Sequence, residues 1–417
     1  MIEIEPFSGI VYNQKRVSLA KVVTPPYDMI RPEQIKEFYK RSPYNIIRLI
    51  LGRPNHKGDW FETAATCFKK WMKEGILERH KKRGIYPYYI RYTKGGKERC
   101  LKGFIARLRL EPFNKGNIYP HEQTFNEVVS ERLKLLKACQ ANFSQVFGLY
   151  SDVKNKVIEA IEGALPSSPF IEIETEGTRH CVWQLTNEHI ISQIKLLMHD
   201  KKLIIADGHH RYQTALAYKE EMNALFPDAP RDASFNYTSV YLSNLEDPGL
   251  DILPTHRLLA NGCIPNFRLD EFFNKISKIF KIMCYNDQKT FWKTLREIGK
   301  YRTAIGFYFH GYSGFFIFVP KEAMGGLDVT VLTESIIKGI LNLEESRLGE
   351  EIYYVSRGEE AIDLVKKGKY KMAFLLNPTK VSQLKEVISR NQLMPPKSTH
   401  FYPKILTGLI INSLKDE

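Results

Sequence analysis

The junction between an apolar run and a helical pattern at residues 203–218 constrains the fold more than any other feature. The sequence there is LIIADGHHRYQTALAY. The first four residues are typical of a buried strand, and the residues from Tyr212 onward have apolar positions at helical spacing. Gly208 permits the positive φ that an abrupt turn needs. We therefore predict a strand, a tight turn and a helix.

Other segments alternate between helix and strand patterns. Residues 60–75 form an amphipathic pattern that stops at Gly75, and the Gly95-Gly96 pair predicts a hairpin, as does the aromatic-rich segment 302–321. No internal repeat or low-complexity segment interrupts the chain. The fold class that we predict is α/β (mixed α+β), with mixed sheets in a larger compact fold.

The length of 417 residues and the hydrophobic content of 43% suit two or three units with large cores. No apolar run approaches the roughly 20 residues that span a bilayer, and the first ten residues lack a signal-peptide pattern. We therefore expect a cytoplasmic protein without a membrane partner.

The six cysteines form no CxxC pair, which predicts neither a zinc site nor a disulfide framework.

The formal net charge is +14. The basic residues are spread along the chain, and the short cluster RHKKR at Arg79–Arg83 is the densest stretch. Charge of this kind favours a small anionic partner such as a nucleotide or a phosphorylated metabolite. Nucleic acid remains the second partner class, although neither a dense basic arm nor a helix-turn-helix pattern is present.

Three basic or imidazole side chains, His209, His210 and Arg211, fall on the first turn of the predicted helix. Backbone N–H groups and the helix dipole favour an anion there, and arginine suits forked contact with phosphate oxygens. Asp207 is expected to cap the helix. The alternative is a capped helix whose histidines bond locally, and a metal site is a weaker rival because adjacent histidines diverge.

Two further segments carry candidate chemistry. In PHEQT, Glu122 beside His121 could act as general base toward a hydroxyl, or the two could be a surface pair. The segment MPPKSTHFYPK offers cations and hydroxyls for polyphosphate, or is a loop held against the core. Its candidate phosphate-binding residues are Lys397, Ser398, Thr399 and Lys404. Further polar groups at strand or loop edges suggest one shared polar cleft, and these are Asp28, Asn45, Arg48, His256 and Arg257.

Several motifs together resemble the domain of unknown function ten-fifteen. They are PPYDMI, NIIRL, HEQT, SERLKLLKACQANFSQVFGLY, ADGHHRYQTALAY, LPTHR, AFLLNPT and MPPKSTHFYPK, and the resemblance runs from about residue 5 to about 412. One position departs, because Thr333 stands where that family has histidine. The DGHHR turn is also similar to one in the ParB–sulfiredoxin superfamily, which includes free-serine kinases.

This resemblance implies a ParB–sulfiredoxin-like core that binds nucleotide phosphates at the helix start. It implies phosphate contacts from His209, His210 and Arg211. Asp207 and Gly208 are the other candidate phosphate-binding residues of the turn, and Asp207 could help to hold Mg²⁺ or simply cap the helix. The glutamate that acts on the substrate hydroxyl in the serine kinases would correspond to Glu122, with His121 beside it and Asp28 in reserve. The low-ranked substrate contacts are Asn45, Arg48, His256 and Arg257. The implied cofactor is ATP or ADP with Mg²⁺.

On this basis we expect three parts, namely an N-terminal mixed α/β part at 1–115, a nucleotide-binding part at 116–262, and a C-terminal α/β part at 263–417. The leading function is phosphoryl transfer to a small hydroxyl metabolite by a small-molecule kinase. A ParB-like, nucleotide-dependent DNA-binding protein and a non-catalytic nucleotide sensor are the alternatives. A sulfiredoxin-like enzyme ranks last because the motif contains no cysteine.

Overall fold

The computed structural model describes residues 1–52, 60–113, 115–122, 124–264, 267–343, 351–390, 393–395 and 397–415. The chain forms two compact units, one made of Met1–Asp251 with Pro403–Glu417 and the other of Ile252–Tyr402. In sequence, the second unit is therefore inserted into the first. Each unit contains helices and β-sheet, which confirms the predicted mixed α/β class.

The first unit is built around one mixed sheet. The strands of the first unit are β1 (Ile4–Glu5), β2 (Ile10–Tyr12), β3 (Leu77–Arg79), β4 (Tyr86–Lys94), β5 (Lys97–Arg109), β6 (Ile118–Tyr119), β7 (Ala141–Asn142), β8 (Val146–Tyr150), β9 (Ile171–Thr175), β10 (Thr178–Val182), β11 (Leu203–Asp207), β12 (Tyr237–Asn244) and, near the C-terminus, β21 (Asn412–Ser413). β2 pairs with β3 outside the large sheet. The large sheet has the order β6-β11-β8-β12-β5-β4-β10-β9, with β1 on β5. β11 is parallel to β6 and antiparallel to β8.

Helices and short turns surround this sheet. They are α1 (Leu19–Val22), a 3-10 turn (Tyr27–Met29), α2 (Pro32–Arg41), α3 (Ile47–Ile50), α4 (Trp60–Lys73), α5 (Asn126–Cys139), α6 (Lys156–Glu162), α7 (Glu188–His199), α8 (His209–Leu225) and a second 3-10 turn (Ser234–Asn236). The predicted amphipathic helix is α4, and the predicted hairpin joins β4 to β5 at Gly95 and Gly96, which have φ values of 57° and 75°.

The predicted strand–turn–helix is β11, Gly208 and α8. The apolar positions of α8 at Tyr212, Ala215 and Leu216 are buried in the same core as Leu203 and Ile205 of β11. Burial of this apolar stripe holds the helix against the sheet. The start of α8 is therefore fixed relative to the end of β11.

A return segment, residues 403–415, brings the end of the chain back into the first unit. Thr407 forms an isolated antiparallel bridge with Thr24, and Ile411 forms one with Ile10. β21 pairs with β7. Gly408 has a φ of 92°, and a Cβ added to it would lie 3.2 Å from the Ile46 side chain. These bonds fix Lys404, the charged residue at the start of the segment.

The second unit has its own antiparallel sheet, of order β15-β17-β16-β19-β14-β18. Its strands are β13 (Asp251–Leu253, which begins at the boundary), β14 (His256–Leu259), β15 (Phe280–Tyr285), β16 (Ile305–Phe309), β17 (Phe315–Pro320), β18 (Ile352–Val355), β19 (Met372–Leu375) and β20 (His400–Tyr402). Its helices are α9 (Leu269–Ile279), α10 (Gln288–Gly299), α11 (Asp328–Val331) continued by a π-helix (Leu332–Lys338), α12 (Gly358–Lys366) and α13 (Val381–Ser389).

The predicted aromatic hairpin is β16–β17. The charged sequence of residues 266–300 predicts mostly helix, but the described part of this segment contains strand β15 between α9 and α10, because β15 completes the edge of the sheet beside β17. Among the described residues, no helix combines the length and apolar character that crossing a membrane requires. All six cysteines lie in described segments, and no disulfide joins them.

Candidate functional site

Two neighbouring parallel strands bring the candidate groups to one edge of the large sheet. Leu203 and Ile204 of β11 pair with Ile118 and Tyr119 of β6, so both strands end at the same edge. The segment with His121 and Glu122 follows β6, and Asp207 ends β11. The carboxyl ends of parallel strands are where ligand sites of open α/β sheets usually lie.

Asp207 is held between two cations. Its Oδ2 accepts from Nη2 of Arg211 at 2.5 Å, and its Oδ1 accepts from Nζ of Lys404 at 2.7 Å. Arg211 also donates to the backbone carbonyl of Gln145. The three charged side chains are 13–16% exposed, so the cluster is largely shielded from water. One carboxylate against two cations leaves a net positive charge, which favours an incoming anion.

Gly208 shapes the turn that carries this cluster. Its φ is 88°, and a Cβ at this position would lie 2.9 Å from Cζ of Arg211. Glycine therefore provides both the left-handed backbone and the space for the guanidinium. The N-cap position of α8 belongs to Gly208, so the expectation that Asp207 occupies it is wrong. The Asp207 carboxylate instead has stronger, charged partners in Arg211 and Lys404.

His209 is buried and uncharged at neutral pH. Its Nε2 accepts from the backbone N–H of His121 at 3.3 Å, and the two imidazole rings are in edge contact with centroids 4.6 Å apart. Burial lowers the pKa of His209 to about 3. Because Nε2 accepts, the neutral ring carries its proton on Nδ1. His209 therefore supplies an N–H donor to the turn rather than a positive charge.

His121 lies close to the side chain of Glu122. Its Nδ1 lies 2.6 Å from the backbone carbonyl of Ile205, and this contact requires the proton on Nδ1. Its Nε2 consequently faces the Glu122 side chain, whose Oε1 is 3.6 Å away. The Glu122 and Asp207 carboxylates both act electrostatically on the His209 imidazole. Two carboxylates, Glu122 and Asp207, are therefore close enough to the turn to affect its charge.

His210 connects the turn to the start of α5. Its Nε2 accepts from the backbone N–H of Phe125 at 3.0 Å, and its ring is stacked on that of Phe125 with centroids 5.9 Å apart. The structure therefore links the turn to the segment that follows Glu122. The structure thus brings His121, Glu122 and residues 207–211 together, and the functional roles of these residues stay predictions.

A small cavity of about 70 Å³ lies beside Arg211. Apolar side chains including Leu135, Leu136 and Phe143 line it together with Tyr27 and Arg132. This volume equals about two water molecules in the liquid, at roughly 30 Å³ each. It is therefore an apolar recess next to the cationic cluster, large enough for part of a ring or an alkyl group.

Tyr27 and Arg132 are site residues that sequence reasoning missed. Cζ of Arg132 lies 4.5 Å from the centroid of the Tyr27 ring. Burial, followed by the charge of Asp28, raises the pKa of the Tyr27 hydroxyl to about 12, while Arg211 lowers it. Both residues lie in motifs that carried the family resemblance, PPYDMI and SERLKLLKACQANF. The sequence signal was therefore present, but the contact between two distant segments was not readable.

The other candidates in the first unit are less closely tied to this cluster. Asp28 is exposed beside Tyr27. The side-chain amide of Asn45 donates to the carbonyl of Lys21 and accepts from the N–H of Ile47. Arg48 donates to the carbonyl of Tyr39. Asn45 and Arg48 thus hold their own local backbone, and their substrate role stays a prediction.

The remaining candidates belong to the second unit. His256 and Arg257 are buried in β14, where Nδ1 of His256 accepts from the N–H of Leu376. Ser398 is buried and donates to the carbonyl of Pro395, whereas Lys397 is exposed at φ 58°. Thr399, next to them, is half-buried. The phosphate and substrate roles of these residues stay predictions.

Both oxygens of Asp207, the predicted Mg²⁺ ligand, contact cations. Within the described ranges, no group of three or more His, Cys, Asp or Glu side chains could hold a metal ion. The donor set around the turn consists of cations and N–H groups, which fits phosphate oxygens directly. Any Mg²⁺ here would therefore be held chiefly by a nucleotide.

Comparisons with known proteins give a family and several solved structures. A model of the family described as "Protein of unknown function (DUF1015)" matches residues 4–331. No curated protein matches the sequence. Similar solved structures include a free serine kinase in complex with AMP, at 15% identity over 70% of this chain and 89% of that one, with a TM-score of 0.34.

Two further solved structures are similar to the same extent. A conserved hypothetical protein from Pyrococcus furiosus has 14% identity over 70% of this chain and 92% of that one, with a TM-score of 0.34. SbnI from Staphylococcus aureus, with a C-terminal truncation, has 10% identity over 75% and 90%, with a TM-score of 0.37. A likeness of this extent transfers no activity to the chain described here.

Proposed function

The chain belongs to the DUF1015 family, and we propose that it is a kinase that transfers a phosphoryl group from a nucleotide to the hydroxyl of a small metabolite. The observation that carries this proposal is the Asp207 carboxylate held by Arg211 and Lys404, at the same sheet edge as Glu122. Phosphoryl transfer needs a cationic phosphate site and a carboxylate that orients the hydroxyl, and this edge combines the two.

Nucleotide phosphates would bind at the start of α8. Arg211 and Lys404 supply charge, His209 supplies a neutral donor, and the backbone of the first helical turn supplies N–H groups. The resemblance of the DGHHR turn to that of the ParB–sulfiredoxin superfamily supports the same assignment. ATP and ADP are both proposed as donors. The Mg²⁺ that accompanies either nucleotide would add charge neutralisation at the phosphates.

Glu122 is the proposed general base. As the substrate oxygen attacks the terminal phosphorus, the Glu122 carboxylate takes the hydroxyl proton, and the bond from phosphorus to the bridging oxygen breaks. Arg211 and Lys404 stabilise the negative charge that develops on the leaving phosphate. Nε2 of His121 lies 3.6 Å from Oε1 of this carboxylate. Asp28 remains the reserve base because it lies beside Tyr27 at the small cavity.

The test is a phosphoryl-transfer assay with ATP or ADP, Mg²⁺ and a panel of hydroxy amino acids and small alcohols. We expect a phosphorylated product from the unaltered protein. Glu122→Gln should lower kcat by about a hundredfold or more, since general-base catalysis contributes that much, while nucleotide affinity stays the same. Arg211→Ala should weaken nucleotide binding by about tenfold or more, through loss of a charge-assisted contact.

Glu127→Gln is the matched control, because Glu127 is an exposed carboxylate five residues further along the chain. It should leave both turnover and nucleotide affinity unchanged. Nucleotide binding that depends on Arg211, without any product across the panel, would contradict the kinase and favour a nucleotide sensor. Full activity of Glu122→Gln would remove Glu122 from the mechanism.

A further inference from the structure

A second cavity of the first unit, of about 390 Å³, has strongly charged walls. Its described lining residues are Glu3, Glu5, Phe7, Ser8, Arg79, Arg83, Arg107, Asp232, Ser234, Tyr237, Asn412, Ser413 and Lys415. None of them lines the small cavity beside Arg211. Its volume falls within the roughly 300–1,000 Å³ of pockets that bind small molecules.

We propose that this cavity, the cation cleft, binds a small polyanion, that is, a metabolite with two or more phosphate or carboxylate groups. Among its described lining residues the cations are Arg79, Arg83, Arg107 and Lys415. Three of them are arginines, whose planar forks match phosphate and carboxylate oxygens. The proposal does not depend on the kinase activity proposed above.

Two of the three described carboxylates that line the cleft, Glu3 and Glu5, are compensated from outside it. Oε1 of Glu3 accepts from the Tyr237 hydroxyl at 3.0 Å and lies 3.3 Å from Nη1 of Arg109. Oε1 of Glu5 lies 2.5 Å from Nζ of Lys195. Neither Arg109 nor Lys195 lines the cleft. Since cations outside the cleft hold Glu3 and Glu5, Asp232 is the remaining carboxylate against four cations among the described lining residues, and the potential that a ligand meets is positive.

Arg83 is held in place by an uncharged partner, and Arg107 contacts an aromatic ring. Nε and Nη2 of Arg83 donate to the backbone carbonyl of Pro6 at 3.3 and 3.0 Å. Cζ of Arg107 lies 5.1 Å from the centroid of the Tyr237 ring. The carbonyl of Pro6 is uncharged and therefore does not neutralise the charge of Arg83. A guanidinium that is already ordered loses less conformational entropy when an anion binds.

The cleft also gives a role to the basic cluster noted in the sequence. Arg79 ends β3, and Arg83 follows four residues later. Lys415 reaches the same cleft from the return segment. Lys81 and Lys82, between the two arginines, are exposed and do not line it. The cluster thus contains both proposed ligands and matched control residues.

The test is titration calorimetry on the full chain with inorganic pyrophosphate and with citrate, at constant ionic strength. We expect at least one of the two probes to bind. The double variant Arg83→Gln/Lys415→Gln should weaken that binding by about tenfold or more, because two charged contacts are lost. The control Lys81→Gln/Lys82→Gln, with the same change in net charge, should bind as the unaltered protein does.

The variant Arg211→Ala distinguishes binding at the cation cleft from binding beside Asp207. It should leave the affinity of the cleft for citrate or pyrophosphate unchanged. Binding of one probe alone would support the proposal and identify the recognised group as phosphate or carboxylate. The proposal is overturned if neither probe binds, if the lysine control weakens binding equally, or if Arg211→Ala removes all binding. The side chains altered in the double variant and in its lysine control are exposed, and an unchanged unfolding temperature would confirm that the fold of each variant is intact.

Discussion

At the scale of single residues, the carboxylate of Asp207 is the group on which the site depends. It is the partner of two largely buried cations, Arg211 and Lys404. Without it, the two positive charges would face each other in a region of low dielectric. Charges in such places are stable only when they are paired.

Asp207→Asn should therefore lower the free energy of unfolding by roughly 2–4 kcal/mol, since it leaves shielded cations uncompensated. Urea unfolding followed by circular dichroism measures this. Asp200→Asn is the control, because the Asp200 side chain is 90% exposed. Its cost should stay within about 0.5 kcal/mol. Equal effects of the two substitutions would mean that the Asp207 cluster contributes no stability.

Buried neutral histidines should make the protein sensitive to acid. Burial lowers the pKa of His209 to about 3, that of His180 to about 4 and that of His256 to about 3, against an ordinary value of 6.5. In each case the unfolded chain binds a proton more readily than the folded one. The stability that these neutral histidines contribute is therefore fully present above pH 6.5, and it is lost as the pH drops from 6.5 toward 3.

The expected result is a lower free energy of unfolding at pH 5 than at pH 7.5, measured by urea unfolding. His209→Gln keeps an acceptor for the N–H of His121 but cannot be protonated. It should reduce the proton uptake on unfolding in this range by about one proton. An unchanged slope in that variant would contradict the assignment of His209 as neutral in the folded state.

At the scale of elements, the return segment positions Lys404. Its bridges to Thr24 and Ile10 place it inside the first unit, and Gly408 packs closely against the Ile46 side chain. Gly408→Ala adds a side chain at φ 92°, where the added Cβ would meet Ile46. Stability should fall by about 1–3 kcal/mol, and nucleotide affinity should fall with it.

Gly177→Ala is the control for this experiment. Gly177 has a similar φ of 74°, but no atom lies within 4 Å of the position of its Cβ. The difference between the two variants in the free energy of unfolding, measured in urea, therefore isolates the effect of close packing at Gly408 from the effect of its backbone conformation. Equal losses would mean that the fit of the return segment against Ile46 contributes nothing.

What the sequence predicted about elements was mostly local. The β11–α8 turn and the Gly95-Gly96 hairpin were predictable because neighbouring residues determine them. The contact between Asp207 and Lys404 joins residues 197 positions apart, and no local pattern encodes it. The pairing of Tyr27 with Arg132 was missed for the same reason, and β15 was missed because its role as a sheet edge depends on β17.

At the scale of the whole molecule, the net charge of +14 should produce weak binding to duplex DNA that declines steeply with salt. For the kinase proposed here, nucleotide and Arg211→Ala should leave that binding unchanged. Fluorescence anisotropy across a salt series, with and without ATP, measures both effects. Tighter duplex binding with nucleotide, lost in Arg211→Ala, would instead support a DNA-linked switch of the ParB type.

The insertion of the second unit within the first has a consequence for biosynthesis. A ribosome makes Asp207 and Arg211 long before Lys404, with the whole of Ile252–Tyr402 translated in between. Domains tend to fold as they emerge, from the N-terminal end. The nascent chain therefore passes through a stage in which the Asp207–Arg211 pair exists without Lys404 and the first unit lacks the strand β21. The cluster of Asp207, Arg211 and Lys404, which is the proposed phosphate site, is therefore completed only after the whole second unit has been translated.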